Sequence, residues 1–276
     1  MNKAKAYTNK VDTNRRYLDP SAIPDGRTSS AIFIILAFGL WLDSYSPLWG
    51  QIGAGVLFWG MYIYLYHKMS GIAKSLMLSG LIMATVGEIF CSLIWQLYDY
   101  RLLNIPHYVP PGHILVFLLG SSLALRIKKW MVWAVPAITA VYTIWGLISG
   151  FDEFAFVLFG MFLACLICEK DRRLYTTMFL LCLALEIYGT WLGNWTWKPQ
   201  VPVWEINTPN PPPASGAFYC VLDFLMLRLM LAYKPIVATF KTVRTSASNI
   251  WNDIVEEGRG VSADLELAPE RISEKE

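Results

Sequence analysis

A chain of 276 residues that is 55% hydrophobic and only 16% charged, with a mean hydropathy of +0.41, reads as a polytopic membrane protein and not as a soluble enzyme. Its formal net charge of +2 implies no bulk attraction to nucleic acid, so where the charges fall matters more than their sum. All five cysteines lie in apolar runs, where a thiol behaves as a small hydrophobe, and Cys165 and Cys168 have no second pair with which to hold a metal.

Residues 1–30 carry Lys3, Lys5, Lys10, Arg15, Arg16 and Arg27 without an apolar period, and read as a basic cytoplasmic tail whose following span serves as the targeting signal. Eight apolar runs follow, at about 31–49, 51–67, 74–97, 113–127, 130–149, 153–168, 174–193 and 216–233, each of about 15 to 24 residues and close to bilayer thickness. The fold class predicted is therefore all-α. His67, Lys68, Lys74, Arg126, Lys128, Lys129, Lys170, Arg172, Arg173 and Lys234 all fall in alternate loops, on the side of the N-terminal tail. The positive-inside rule makes that side cytoplasmic in a cell membrane, such as a bacterial inner membrane.

An offset of about 98 residues maps the first four spans onto the last four, which predicts two parallel repeats, 31–129 and 130–233, about an axis along the membrane normal. The signature of the repeat is an acid inside a span, aromatics after it, then prolines. Gly87-Glu88-Ile89-Phe90 leads through Trp95, Tyr98 and Tyr100 to Pro110-Pro111-Gly112-His113; Leu185-Glu186-Ile187-Tyr188 leads through Trp191, Trp195 and Trp197 to Pro211-Pro212-Pro213. Beyond the last span, 234–255 has the pattern of an amphipathic surface helix. Residues 256–276 read as a disordered acidic tail, a place for a membrane-protein partner.

A carboxylate inside a span is costly enough to be a functional hypothesis by default. Glu88, Glu186, Asp223 and Asp43 are expected to share the outer half of the bilayer, where an unpaired acid holds its proton and serves as a general acid. Glu88, Glu186 and Asp223 are the catalytic candidates. Trp95, Tyr98, Tyr100, His113, Trp191, Trp195, Trp197, Tyr219 and Asp43 are the substrate-binding candidates, with the aromatics forming either an interfacial belt or a cage for a cation. His113 is placed to relay a proton at the mouth of the site. No HxxxH or HExxH spacing, phosphate-cradling glycine loop or GxSxG is present, so no metal or other cofactor is expected.

The run Glu186-xx-Gly189-xxx-Gly193-x-Trp195-x-Trp197, leading to Val201-Pro202, resembles the membrane-embedded carotenoid hydratase type of carotenoid-biosynthesis proteins. The resemblance covers about twenty residues and implies protonation of an isoprenoid double bond followed by capture of water. The expected function is thus acid–base catalysis on a lipid or isoprenoid. Two alternatives use the same features: a transporter or lipid-binding protein coupled to ions or protons, and a structural subunit of a membrane complex.

Overall fold

In the computed structural model, residues 23–69 and 71–232 are described. They are mostly helical, and five helices are long and apolar enough to cross a membrane: α1 (Gly26–Tyr45), α2 (Pro47–Lys68), α3 (Gly71–Glu88, continued by a π-helical segment Ile89–Ile94), α5 (Met131–Ser149) and α7 (Arg172–Trp191). Two shorter apolar helices are α4 (Val109–Ala124) and α6 (Phe154–Cys168). The last helix, α8, starts at 216 and is described to 232.

The helix ends follow from local chemistry. Asp25 caps α1 by accepting from Thr28 N at 2.8 Å, so the helix starts inside the stretch expected to be tail. Asp171 does the same for α7 through Leu174 N at 3.3 Å. Pro110 and Pro111 occupy the first turn of α4, where the absent N–H groups would have had no partner, so the helix begins before His113 instead of at it.

Helix α4 lies at the centre. It is buried along nearly its whole length and packs on α1, α2, α3 and α7. Ser122 ties it to α1 by a 2.8 Å hydrogen bond with Ser29. The outer helices instead show apolar side chains outward, among them Phe33, Trp133, Ile138, Val141 and Ile148, as a surface facing acyl chains does.

The two proline-rich loops contain strands that periodicity did not reveal. β1 (Tyr98–Tyr100) and β2 (Trp195–Trp197) pair antiparallel, with Tyr98 opposite Trp197 and Tyr100 opposite Trp195. β3 (Gln200–Val201) and β4 (Ile206–Asn207) form a separate hairpin. Two residues before the first ring of β1, Gln96 has φ 58°; two residues before that of β2, Gly193 has φ 74°. Both turn the chain left-handed out of the preceding helix.

Everything below lies in the compact unit Met1–Leu229; of the unit Met230–Glu276, residues 230–232 are described and are helical. The expected surface helix 234–255, the acidic tail 256–276 and the first 22 residues of the basic tail lie outside the described residues.

Candidate functional site

Glu88 ends the regular part of α3, and Glu186 lies in α7; both are buried, and both line one cavity of about 350 Å³. Neither is the unpaired acid that hydropathy alone predicts. Glu88 Oε2 accepts from the hydroxyls of Tyr98 at 2.9 Å and Tyr100 at 2.7 Å, and His113 Nε2 lies 3.1 Å from Glu88 Oε1. Glu186 Oε2 accepts from the indole N–H of Trp195 at 2.8 Å and of Trp197 at 3.0 Å, while the hydroxyl of Tyr219 lies 2.9 Å from Glu186 Oε1. An indole N–H only donates, so Glu186 Oε2 is an acceptor twice over.

The β1–β2 ribbon supplies four of these six partners, and strand geometry explains how. Alternate residues of a strand share a face, so Tyr98 and Tyr100, with Trp195 and Trp197 opposite, all turn inward. Asp99, between the two tyrosines, is instead paired with Lys198. The rings pack on one another, Tyr98 on Trp197 at 4.9 Å and Tyr100 on Trp195 at 6.2 Å between centroids. Gly189 makes room for this: a Cβ there would stand 1.9 Å from a ring atom of Trp195. Burial, then the charge of Glu88, push both tyrosine hydroxyls well above the ordinary phenol range, so they remain protonated donors.

The π-helical segment has a positional effect. Trp95 N bonds back five residues to Phe90 O, at 2.7 Å, which adds a residue to the turn below the ribbon. Tyr98 and Tyr100 accordingly stand 10 and 12 residues beyond Glu88, whereas Trp195 and Trp197 stand 9 and 11 beyond Glu186. The third partners differ in spacing too, His113 at 25 residues and Tyr219 at 33, a difference matching the length of the inserted hairpin Gln200–Asn207. His113 and Tyr219 meet across the cavity with rings 4.7 Å apart.

Trp95 forms part of the wall and is held by its N–H to Pro202 O at 3.1 Å and by Trp204, Phe154 and Phe218 around it. Among the described residues, no lysine or arginine lines the cavity, and the basic side chain on its wall is His113, beside Glu88.

Three sequence candidates lie elsewhere. Asp43 is consumed by a buried ion pair with Arg101 at 3.1 Å and by the hydroxyl of Tyr108 at 2.7 Å, and does not line the cavity. Trp191 is 76% exposed on the outside of α7, stacked on Tyr188. Asp223 is buried, does not line the cavity although Leu222 and Leu225 on either side of it do, and its Oδ2 has no partner. Ala214 and Ser215 are wholly buried, Gly216 packs on the Phe179 backbone, and Cys220 Sγ lies 3.4 Å from Tyr175 O. Helix α8 therefore starts about 18 Å along α7 from Trp191, and its Leu222 lies against Gly87, one residue before Glu88.

The residues that sequence reasoning did not select include Cys91 and Ser215, both on the cavity wall. Cys91 carries no signal beyond lying three residues past Glu88. Arg101 had one: a lone arginine at the end of the fold that is otherwise poor in basic residues. Among the described residues no group of three or more His, Cys, Asp or Glu is arranged to hold a metal ion. Comparison with protein-family models, with curated proteins and with solved structures yields no match, so the cavity is interpreted from its own geometry.

Proposed function

We propose that the protein is an integral membrane enzyme that moves protons to and from a lipid or isoprenoid substrate through Glu88, His113, Tyr219 and Glu186. The observation that carries this reading is the cavity wall itself: two glutamates, each held by three hydrogen-bonding side chains, face one apolar space that no lysine or arginine lines among the described residues. Such a wall stabilises positive charge forming on a bound molecule, and the surrounding rings add cation–π attraction, about 2 kcal/mol for a desolvated ring.

The two glutamates take different parts. Glu88 and His113 share a proton across their 3.1 Å contact and deliver it to an alkene carbon: the new C–H bond forms, the π bond breaks, and the neighbouring carbon becomes cationic. Glu186, accepting from two indoles, is the carboxylate that faces that cation. It then takes a proton, either from water as the water oxygen bonds to the cation, or from the adjacent carbon as a new double bond forms. The first outcome is hydration and the second isomerisation.

The same reading includes an eight-span fold of two parallel repeats with both ends of the bundle on the cytoplasmic side. It is supported by the matched cradles, each an acid in a helix, a left-handed residue, a three-residue strand with two inward rings, and a side chain from the next helix.

The test needs no knowledge of the substrate. Membranes containing the protein are incubated in heavy water and their lipids analysed by mass spectrometry. A lipid should gain one deuterium, or the elements of heavy water, only when the chain is present and not with Glu88→Gln or Glu186→Gln. If no lipid gains deuterium in a way that depends on the chain, the enzymatic reading is lost.

A further inference from the structure

The exposed wall residues of the cavity gather on one side. On α1, α2, α4 and the ribbon, Leu36, Leu40, Phe58, Val116, Trp195 and Trp197 are each 6% exposed or less, and Tyr98, Val109 and His113 are half-buried. The exposed wall residues lie on α3 and α8, with Val86 at 53%, Phe90 at 49% and Leu225 at 41%. Along the seam between these helices, flexible side chains and not backbone face the glycines of α3, Leu222 beside Gly87 and Met226 beside Gly80. The loop end is closed by the ribbon and by the hairpin carbonyl that holds Trp95.

We infer that the substrate reaches the glutamates sideways from the bilayer, through a portal between α3 and α8, and is a chain-like lipid whose reacting end enters the cavity while its tail stays among the acyl chains. This inference rests on the acid–base reading of the site. A cavity of about 350 Å³ suits an end of such a molecule and not its whole length. Val86, Phe90 and Leu225 give the tail an apolar surface to lie on.

Dodecyltrimethylammonium carrying a photoactivatable diazirine tests this with the full-length protein in lipid nanodiscs, because its head mimics the cation and its tail reports the path. With the diazirine beside the head, saturable cross-links are expected on cavity residues such as Cys91 and Phe218. With it at the tail end, cross-links are expected on Val86, Phe90 and Leu225. Val86→Trp together with Leu225→Trp should reduce head cross-linking at least tenfold. Tail cross-links on Gln200–Asn207, an undiminished signal in the double tryptophan variant, or no saturable cross-link at any cavity residue would each overturn the portal. Glu88→Gln and Glu186→Gln separate the two claims. If they leave the labelling intact and the tail still maps to α3 and α8, the portal stands and the role given to the glutamates fails.

Discussion

The two halves of the site hold the same acid in different company. Glu88 is bound by two phenols that stay protonated and by an imidazole, which can both donate and accept; Glu186 is bound by two indoles, which only donate, and one phenol. On the proposed reading, one scaffold thus offers a carboxylate that exchanges a proton through His113 and a carboxylate held as an acceptor. The chemistry assigned to each follows from its neighbours, since the acids themselves are identical.

The comparison breaks first if the two acids prove interchangeable or dispensable. Glu88→Gln and Glu186→Gln are each expected to slow turnover by about 10²–10⁴-fold, the usual scale for losing a positioned acid or base, while the protein still inserts and folds. Deuterium incorporation into membrane lipid measures the first point, and thermal unfolding in detergent the second. Full activity in both variants would end the proton-transfer role.

The third partners sharpen it. His113→Asn keeps a hydrogen-bond donor toward Glu88 but removes the ring that can pass on a proton, so activity should fall about 100-fold. Tyr219→Phe, on the acceptor side, should cost about tenfold. Losses of equal size in the two variants, read as deuterium incorporation, would mean that the halves do not differ in proton exchange. The strand rings come next: Tyr98→Phe and Trp197→Phe each delete one bond to a carboxylate, worth about 1.5–3 kcal/mol when the acceptor is charged. Activity should fall about tenfold in both, more if the glutamate shifts.

The smallest effects concern how each ribbon strand is reached. Gln96 adopts φ 58° where Gly193 adopts φ 74°, a conformation that costs a side-chain-bearing residue about 1–2 kcal/mol. Gln96→Gly should therefore raise stability by up to about 1 kcal/mol, and Gly193→Ala should lower it by about the same amount. Thermal unfolding reads both, and shifts of the same sign would show that the two turns are not equivalent.

Sequence alone made the apolar segments and the paired glutamates visible, because hydropathy and a buried acid are both strong local signals. Even the inward rings were visible as Tyr98-x-Tyr100 and Trp195-x-Trp197, although the loops were not read as strands. Three-residue strands carry too little periodicity to register, and their pairing joins positions about a hundred residues apart. Asp43 looked like a site residue because nothing local announces that Arg101 folds back onto it. Asp223 looked like a site residue because a count along α8 fixes a depth but not a face, and the cavity is lined by its neighbours Leu222 and Leu225 instead.

The ribbon also imposes an order on biosynthesis. Tyr98 and Tyr100 emerge from the ribosome soon after Glu88, but Trp197 and Trp195, against which they are registered, follow roughly a hundred residues later. A nascent chain inserted only through α4 already contains all three partners of Glu88 (Tyr98, Tyr100 and His113), while the rest of the cavity wall is still to come. The carboxylate to which we assign the proton is thus held within the first half of the chain before Glu186 and its indoles exist to face it.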